Sequence, residues 1–438
     1  MRAAIAVADP LANSASRLLL STNRTIHVIG AGLAGLSAAV RLASAGQHVV
    51  VHELARHAGG RCRSYFEPAL GLTIDNGNHL LLSGNHAAIG FLKTIGAEDK
   101  LAGPRESVFT FADLATGERW QLRLNNGRLP WWIFSKARRI PRTRARDYLA
   151  LLGLLIAGRD HSVGEVIDCT GALYERLCRP ILLAALNAEP PKASAQLAGA
   201  VVRESLARGG AACRPLIATD GLGAAFIDPA LAYLRGRGAV VRFDHQLRRL
   251  DLAEDRVGAL QFDEDVIELA RDDVVILAVP AWIAPTLVPE LVAPKQFQAI
   301  LNAHFAITPP PGLPSMLGVI NGTTEWLFSF ADRLSVTISA ADRFNEAARE
   351  PLAHTIWSEV AALTGLDGKI PRWHIIKERR ATFAALPGEN ARRPGSRTRW
   401  RNLILAGDWT ATGLPSTIES SIRSGNRAAE IVTRTQFW

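Results

Sequence analysis

The stretch TIHVIGAGLAGLSAAVRLASAGQHVVVHE, residues 25–53, constrains the fold more than any other part of the chain. Residues 26–29 are an apolar run typical of a short buried strand, and apolar residues then recur at helical spacing until Gly46. A second apolar run at 49–51 indicates another strand, and Glu53 follows it. This order predicts a βαβ unit.

Three glycines in this unit have the GxGxxG spacing that a dinucleotide-binding turn needs. Gly30 permits a tight strand-to-helix turn, Gly32 lets the backbone approach a pyrophosphate, and Gly35 lets the helix lie near the strand. The helix N-terminus offers free N–H groups to phosphate, and Glu53 can accept hydrogen bonds from ribose hydroxyls while disfavouring the 2′-phosphate of NADP. The predicted contacts are Gly30, Ala31, Gly32, Leu33, Ala34, Gly35 and Glu53.

Size and composition set broader limits. The 438 residues are enough for two or three domains, and the 48% hydrophobic content is that of a globular protein. The four cysteines are far apart, which predicts neither a metal site nor a disulfide framework. Residues 1–24 are expected to be a loosely ordered leader and not a signal peptide. The net charge of +9 fits simple solubility, but also nucleic acid, an anionic membrane surface or a diphosphate ligand.

Further motifs lie beyond the βαβ unit. ARHAGGRCRS follows Glu53, LTIDNGNHLL occupies 72–81, and NLILAGDWTATGLPSTIESSIRSGNRAA occupies 402–429. As a set, the motifs resemble those of the FAD-dependent amine oxidase and phytoene desaturase superfamily, and the resemblance covers both ends and most of the chain between. It implies FAD as the cofactor, with further contacts from Gly59, Gly60, Arg61, Gly77, Asn78, Leu247, Gly407, Asp408, Thr417, Ile418 and Glu419.

The resemblance also implies a fold of the α/β class. A Rossmann-like FAD-binding domain, discontinuous in sequence, would carry an inserted mixed substrate-binding domain. Residues 403–406 predict one buried strand, and 272–282 predict another that ends at Pro280. Residues 417–429 predict a helix, and 220–252 predict a helix followed by a strand. The expected FAD-binding segments are 25–102, 215–280 and 395–438, and the expected substrate segments are 103–214 and 281–394.

Three local segments narrow the resemblance. DNGNHLLLSGN (75–85), KERRATFAALP (377–387) and GDWTATGLPSTIE (407–419) are similar to the bacterial hydroxysqualene dehydroxylases of hopanoid biosynthesis, also known as squalene-associated FAD-dependent desaturases. This implies reductive removal of the hydroxyl of hydroxysqualene to give squalene, with hydride from N5 of reduced FAD. Such a reaction needs a general acid near the leaving oxygen and an apolar cavity that excludes water.

His79 and Arg380 are the candidate catalytic residues. His79 follows the DNG turn that the superfamily places near the flavin, and a cationic imidazole could donate the proton. It could equally serve only as a hydrogen-bonding partner of the backbone or the flavin. Arg380, in RATF, could support the flavin or the substrate, or could be structural. Asp75 is expected to shape the turn, and Trp409 to pack against its surroundings.

The segment PWWIFSKARRIPRTRARDYLALLGLLIAG, residues 130–158, combines aromatic, basic and apolar runs. Its apolar run at 149–157 is too short to span a bilayer. The composition predicts either an interfacial membrane contact or a core helix beside a solvated basic loop, and no recognition motif supports nucleic acid. For a C30 isoprenoid substrate we expect a cytoplasmic enzyme, peripheral at the inner face of the cytoplasmic membrane. Other enzymes of the squalene pathway are candidate partners.

Two other kinds of function stay open at this point. A carotenoid-type desaturase or an amine oxidase would use the same fold, the latter with an aromatic cage around the amine. A non-catalytic prenyl-lipid binding protein on this fold would need no flavin. The presence of Glu53, of Gly407–Asp408 and of residues 417–419 argues against that last alternative.

Overall fold

The computed structural model describes residues 24–435. The expected leader, apart from its last residue, and positions 436–438 of the third FAD segment lie outside the described residues. The strands in the described range are β1 (Thr25–Ile29), β2 (His48–His52), β3 (Ser64–Glu67), β4 (Leu72–Asp75), β5 (Leu81–Leu82), β6 (Leu101–Ala102), β7 (Val108–Asp113), β8 (Arg119–Arg123), β9 (Pro215–Ala218), β10 (Val240–Arg242), β11 (Leu247–Leu252), β12 (Val257–Phe262), β13 (Val266–Glu268), β14 (Val274–Leu277), β15 (Phe297–Phe305), β16 (Met316–Ile320), β17 (Trp326–Ser329), β18 (Leu334–Ile338), β19 (Trp373–Phe383) and β20 (Leu403–Leu405).

The helices connect these strands and cover the sheets. Two π-helical turns, Tyr174–Cys178 and Gly223–Ile227, lead directly into α6 and α8, and two 3₁₀ turns, Trp131–Phe134 and Ala145–Leu149, precede α3. The α-helices are α1 (Leu33–Ser44), α2 (His86–Thr94), α3 (Ala150–Ile156), α4 (Val163–Val166), α5 (Gly171–Leu173), α6 (Arg179–Leu186), α7 (Ala195–Glu204), α8 (Asp228–Gly236), α9 (Ala284–Leu287), α10 (Arg349–Thr364), α11 (Pro387–Ala391) and α12 (Ile418–Arg434).

A five-stranded parallel sheet with the order β10-β2-β1-β14-β20 carries the predicted βαβ unit. Ile26 and Val28 point to the face that α1, α8 and α12 cover, and Ile29 points to the other face. Both faces of a parallel sheet are buried, which is why its strands read as continuous apolar runs in the sequence. The sheet brings the carboxyl ends of β1, β14 and β20 side by side.

Helices α1 and α12 lie in close contact although they come from opposite ends of the chain. A Cβ on Gly425 would collide with the Ser37 hydroxyl and the Ala34 carbonyl oxygen. The small residues of both helices therefore let their axes approach closely. This contact ties the C-terminal motif to the N-terminal one.

The antiparallel sheet β11-β12-β13 carries Phe262, the aromatic partner of a histidine cluster. Its members are His27 on β1, His52 on β2 and His245, which lies just before β11. His27 Nδ1 lies 3.1 Å from His52 Nε2, and His52 Nδ1 lies 2.9 Å from His245 Nδ1. His245 stacks on Phe262 and reaches Asp265 with Nε2, at 3.0 Å. These contacts form one connected polar cluster from the buried face of β1 to the surface.

A second, seven-stranded sheet has the order β19-β15-β18-β17-β16-β7-β8. One of its faces packs on α10 through residues such as Val336 and Trp357, and the other contributes Phe111, Trp326 and Phe328 to a larger apolar core. Side chains from α3, α6 and α7 also belong to that larger core. The strands of the seven-stranded sheet come from the two expected substrate segments. The strands of the parallel sheet come from the three expected FAD segments.

Some elements differ from the sequence predictions in length. The strand that was expected to end at Pro280 is β14, which ends at Leu277, because its partner β1 ends opposite it at Ile29. The predicted helix at 417–429 begins one residue later, with Thr417 as its N-cap, and continues to Arg434.

Between residues 24 and 435, no helix is long and apolar enough to cross a membrane.

Candidate functional site

The glycine-rich turn between β1 and α1 forms the first wall of the site. Gly30 has a φ of 105°, and a Cβ on Gly35 would collide with the Gly30 carbonyl oxygen. Gly32 is different, because a Cβ placed there meets no atom within 4 Å. The turn thus packs tightly on its inner side and leaves open space at Gly32, where a pyrophosphate could approach the backbone.

Glu53 closes this turn from the end of β2. Its Oε2 accepts a hydrogen bond from the Ala31 amide at 2.7 Å, and its Oε1 accepts one from the Ala55 amide at 2.9 Å. Each carboxylate oxygen has a second lone pair, so ribose hydroxyls can still bind. The His245 amide donates to the Glu53 carbonyl at 2.9 Å, which brings the chain leading into β11, and hence Leu247, beside the acid.

Arg61 links the GGR motif to the C-terminal motif. Gly59 has a φ of 109° and pairs with Gly32 in an isolated bridge, and a Cβ on Gly60 would lie 3.5 Å from the Gly32 Cα. The turn so formed directs Arg61 to Asp408, with Nη2 2.7 Å from Oδ1, while Nη1 donates to the Ala381 carbonyl. A charge-assisted hydrogen bond of this length fixes the guanidinium at the carboxyl edge of the parallel sheet, where the cofactor is expected.

Asp408 lies just beyond β20 and is buried. Gly407, which precedes it with a φ of 151°, donates its amide to the Ser424 hydroxyl of α12 at 2.6 Å. Sequence reasoning missed a second arginine here: Arg393 is buried and donates from Nη2 to the Asp408 carbonyl at 3.0 Å and to the Thr412 hydroxyl at 2.9 Å. Burial lowers the pKa of Arg393 to about 10, so it stays cationic at neutral pH.

At the start of α12, backbone N–H groups are available to a ligand, whereas the Glu419 side chain is already bonded within the protein. The Thr417 hydroxyl accepts the Ser420 amide at 3.1 Å, and the amides of Ile418 and Glu419 belong to the first turn, which lacks helical partners. The buried Glu419 carboxylate accepts from the Ala87 and Ala88 amides at 3.1 and 2.9 Å. The side chain of Glu419 thus caps α2, and its backbone N–H, like that of Ile418, remains the group predicted to face the cofactor.

The DNGNH turn is held by the substrate-domain sheet. Asp75 accepts the Leu222 amide at 2.8 Å, as expected of a residue that shapes the turn. Thr337 accepts a hydrogen bond from Asn78 Nδ2 at 3.1 Å and donates one to Asn302 Oδ1 at 2.7 Å. A Cβ on Gly77 would lie 3.2 Å from Asn302 Nδ2. The buried Asn302 was not found from the sequence, since an asparagine inside a strand gives no signal of its long-range partner.

His79 follows this turn and differs electrostatically from the prediction. Burial, together with the nearby Arg61 charge, lowers the pKa of His79 to about 4. This pKa leaves the imidazole uncharged at neutral pH, which argues against the expected cationic proton donor. A neutral imidazole still has one N–H donor and one acceptor nitrogen.

Arg380 does not join the groups around Asp408. Its side chain is exposed, and its guanidinium lies 5.3 Å from the ring centroid of Trp282, which packs edge-on against Phe297. The neighbouring Ala381 carbonyl and Thr382 hydroxyl do make long-range contacts, to Arg61 and Asn187. The backbone of the RATF segment thus supports the site, while the Arg380 contact is a surface cation–π pair.

Trp409 is buried and donates to the Val279 carbonyl at 2.9 Å, as expected of a packing residue.

The sequence and fold have clear relatives. The family described as flavin containing amine oxidoreductase matches residues 33–433. The hydroxysqualene dehydroxylase of Rhodopseudomonas palustris is 57% identical over 94% of this chain and 98% of its own length, and that of Sinorhizobium fredii is 54% identical over 93% and 98%. A putrescine oxidase double mutant superimposes with a TM-score of 0.69 at 18% identity, over 94% of this chain and 99% of its own.

Proposed function

Because the chain belongs to the flavin-containing amine oxidoreductases and, within them, to the hydroxysqualene dehydroxylases, we propose that it removes the hydroxyl of hydroxysqualene and releases squalene. It is an FAD-dependent oxidoreductase. The observation that carries the substrate assignment is identity of 57% across 98% of a hydroxysqualene dehydroxylase. Because the match covers 94% of this chain, it spans the expected substrate segments as well as the expected FAD segments.

The residues around the glycine-rich turn fit FAD. The open space at Gly32 would take the pyrophosphate, and the free lone pairs of Glu53 would take ribose hydroxyls. The first-turn amides of α1 and α12 and the Arg61 guanidinium would face the remaining polar groups of the cofactor. When bound and reduced, FAD supplies the hydride that replaces the hydroxyl.

The protein must orient the leaving hydroxyl and allow its oxygen to be protonated. Exchange of C–OH for C–H releases water, so one proton has to reach that oxygen. His79 is proposed to donate a hydrogen bond to it as a neutral imidazole, which orients the leaving group, and a solvent proton completes the water. The ties from Thr337 to Asn78 and Asn302 would keep the turn before His79 in one position. The apolar core shared by the two domains, which includes Trp409, would exclude other water.

The substrate is a lipid, and this bears on location. We propose that the enzyme is peripheral at the inner face of the cytoplasmic membrane and takes its substrate from there. Residues 130–158 would make the contact, because their exposed surface is both apolar and basic. Enzymes that act before and after it on the squalene pathway would share that surface as neighbours.

A single-turnover experiment tests the substrate assignment. The holoprotein is photoreduced without oxygen, hydroxysqualene is added in detergent, and flavin reoxidation is followed while lipids are extracted. We expect reoxidation with an equal amount of squalene. Squalene itself is the matched control substrate and should leave the flavin reduced. A flavin that stays reduced, with hydroxysqualene recovered intact, would rule out this substrate and favour carotenoid-type desaturation.

A further inference from the structure

Six large apolar side chains stand exposed within one short part of the chain. Their exposed fractions run from 54% to 87%, and they are about half of all large apolar side chains exposed in residues 24–435. Monomeric proteins rarely expose such side chains together unless the patch binds something. We call this set the docking face: Leu129, Trp131, Phe134, Leu149, Leu152 and Ile156.

The docking face is presented on a fixed base. Leu149, Leu152 and Ile156 follow each other at spacings of three and four residues, so they share one side of the helical segment that ends in α3. The Trp131 and Phe134 rings lie 6.1 Å apart on the neighbouring 3₁₀ turn, which contacts the turn before α3. Beneath them, the buried Trp132 and Tyr148 rings pack edge to face at 5.0 Å. The apolar side chains are therefore held outward by packed neighbours.

Basic residues surround the docking face almost without acids. Residues 128–159 contain eight Lys and Arg residues and one acid, Asp147, which accounts for seven of the nine net positive charges of the chain. Arg142 pairs with Glu118 at 2.9 Å. Lys136, Arg138 and Arg144 are exposed and make no ion pair within the described range. One sign of charge around an apolar patch complements a surface that is anionic outside and apolar inside.

We infer that the docking face inserts into the surface of an anionic phospholipid bilayer, with Lys136, Arg138 and Arg144 binding the headgroup phosphates. Aromatic and aliphatic side chains at the level of the headgroups, with long basic side chains around them, are the composition of an interfacial anchor. Each basic residue near an anionic leaflet strengthens binding about fivefold. Uniform positive charge also disfavours a second copy of this chain, because two such faces would repel each other.

The position of the docking face relative to the apolar core suits it to substrate delivery. Its buried base, including Trp132, Tyr148 and Leu154, belongs to the same apolar core as Trp409, which follows Asp408 at the cofactor edge. Docking would therefore place an apolar part of the protein between the lipid phase and the reaction centre. This role in substrate delivery rests on the proposed function, whereas binding of vesicles does not.

Vesicle co-sedimentation of the holoprotein tests the inference. Vesicles of phosphatidylcholine alone are compared with vesicles that also contain phosphatidylglycerol, at low and high salt. We expect binding to the anionic vesicles that weakens as salt rises, and little binding to phosphatidylcholine. The triple variant Lys136→Gln/Arg138→Gln/Arg144→Gln should bind on the order of a hundredfold more weakly, at about fivefold per charge. Leu149→Gln/Leu152→Gln/Ile156→Gln should also lose binding.

Matched controls separate this effect from general changes of charge or exposure. Arg105→Gln/Arg235→Gln/Arg249→Gln removes three exposed charges elsewhere, and Phe66→Gln/Val266→Gln/Val292→Gln removes three exposed apolar side chains elsewhere. Both should bind vesicles like wild type. All variants should keep wild-type FAD content and wild-type turnover of detergent-dispersed hydroxysqualene.

Three results would overturn the inference. These are equal binding of the docking-face variants and wild type, equal binding to neutral and anionic vesicles at all salt concentrations, or loss of a wild-type dimer in the docking-face variants without any vesicle binding. Failure of the proposed function looks different, because vesicle binding would persist while no form of the protein made squalene.

Discussion

Arg61 Nη2 and Asp408 Oδ1 lie 2.7 Å apart, although 347 positions separate the two residues in the chain. The pair joins the GGR turn to the end of β20 at the edge of the sheet where the glycine-rich turn opens. Because Asp408 is buried, loss of Arg61 would leave a carboxylate in a poorly solvated place. We therefore propose that this ion pair links the two halves of the FAD site.

Replacing Arg61 by Gln should lower both stability and FAD content. The expected loss of unfolding free energy is about 1–3 kcal/mol, below the value for a fully buried pair because solvent screens the partly exposed arginine. Denaturant unfolding and the ratio of flavin to protein measure the two effects. Arg41→Gln is the matched control, since Arg41 pairs with Glu430 at 3.0 Å on the surface, and its loss should change stability by less than about 0.5 kcal/mol. Equal effects of both variants would contradict the assigned role of Arg61.

Alanine at Gly32 and alanine at Gly35 should fail in different ways. A Cβ on Gly32 occupies open space, so Gly32→Ala should fold with a wild-type Tm as the apoprotein but bind FAD at least about tenfold more weakly, because the methyl group takes pyrophosphate space. A Cβ on Gly35 collides with the Gly30 carbonyl, so Gly35→Ala should fold poorly or not at all. Isothermal titration of the apoproteins with FAD tests this. Unchanged FAD affinity in Gly32→Ala would contradict the proposed pyrophosphate position.

His79 should not titrate in the activity profile near neutral pH. Its pKa is lowered to about 4, so the imidazole is neutral throughout the range from about pH 6 to 8. His79→Gln should reduce kcat by about ten- to a thousandfold, with a pH profile parallel to that of wild type over this range. His79→Phe should have a lower kcat still, since phenylalanine cannot donate a hydrogen bond. A wild-type limb near the ordinary histidine pKa that disappears in His79→Gln would show that the imidazole is cationic after all.

Glu419→Ala should destabilise the protein without a specific loss of FAD affinity. The carboxylate accepts from the Ala87 and Ala88 amides at the start of α2 and from Arg423 Nε at 2.7 Å. The alanine variant leaves the two amides without this acceptor, while Arg423 keeps its ion pair with Glu204. A loss of about 2–4 kcal/mol is expected from chemical unfolding. Glu430→Ala, on the exposed side of the same helix, is the control and should have a small effect. If FAD affinity falls while stability is unchanged, the Glu419 side chain contacts the cofactor.

The buried histidine cluster should make stability fall in mild acid. Burial lowers the pKa of His27 to about 4 and that of His52 to about 3, whereas both titrate near 6.5 in the unfolded chain. The unfolded state therefore binds more protons below about pH 6.5, and stability is fully present above that pH and decreases as pH falls toward 4. Urea unfolding at about pH 7.5 and about pH 5 should show a smaller decrease for His27→Gln than for wild type. The exposed His354→Gln control should keep the wild-type decrease.

The sequence by itself determined the local parts of this protein. The strand, glycine turn, helix and second strand of residues 25–53 are specified by neighbouring residues, because hydrophobic period and glycine conformations act over a few positions. The motif set likewise identified the flavoprotein family and, through its three local segments, the branch within it. The apolar and basic character of residues 130–158 was also visible, although whether that surface was exposed was not.

Only the tertiary structure decided what depends on distant partners. Arg61 meets Asp408 across most of the chain, Asn302 is tied to the turn at Asn78 by Thr337, and the Glu419 carboxylate caps α2. Arg393 is buried against the carbonyl of Asp408, 15 positions away. The charge of His79 belongs here too, since its pKa follows from burial and a neighbouring cation, and neither can be read from residue type. Packing between distant segments sets which polar groups are buried and with whom they pair, and those pairings decide the chemistry of the site.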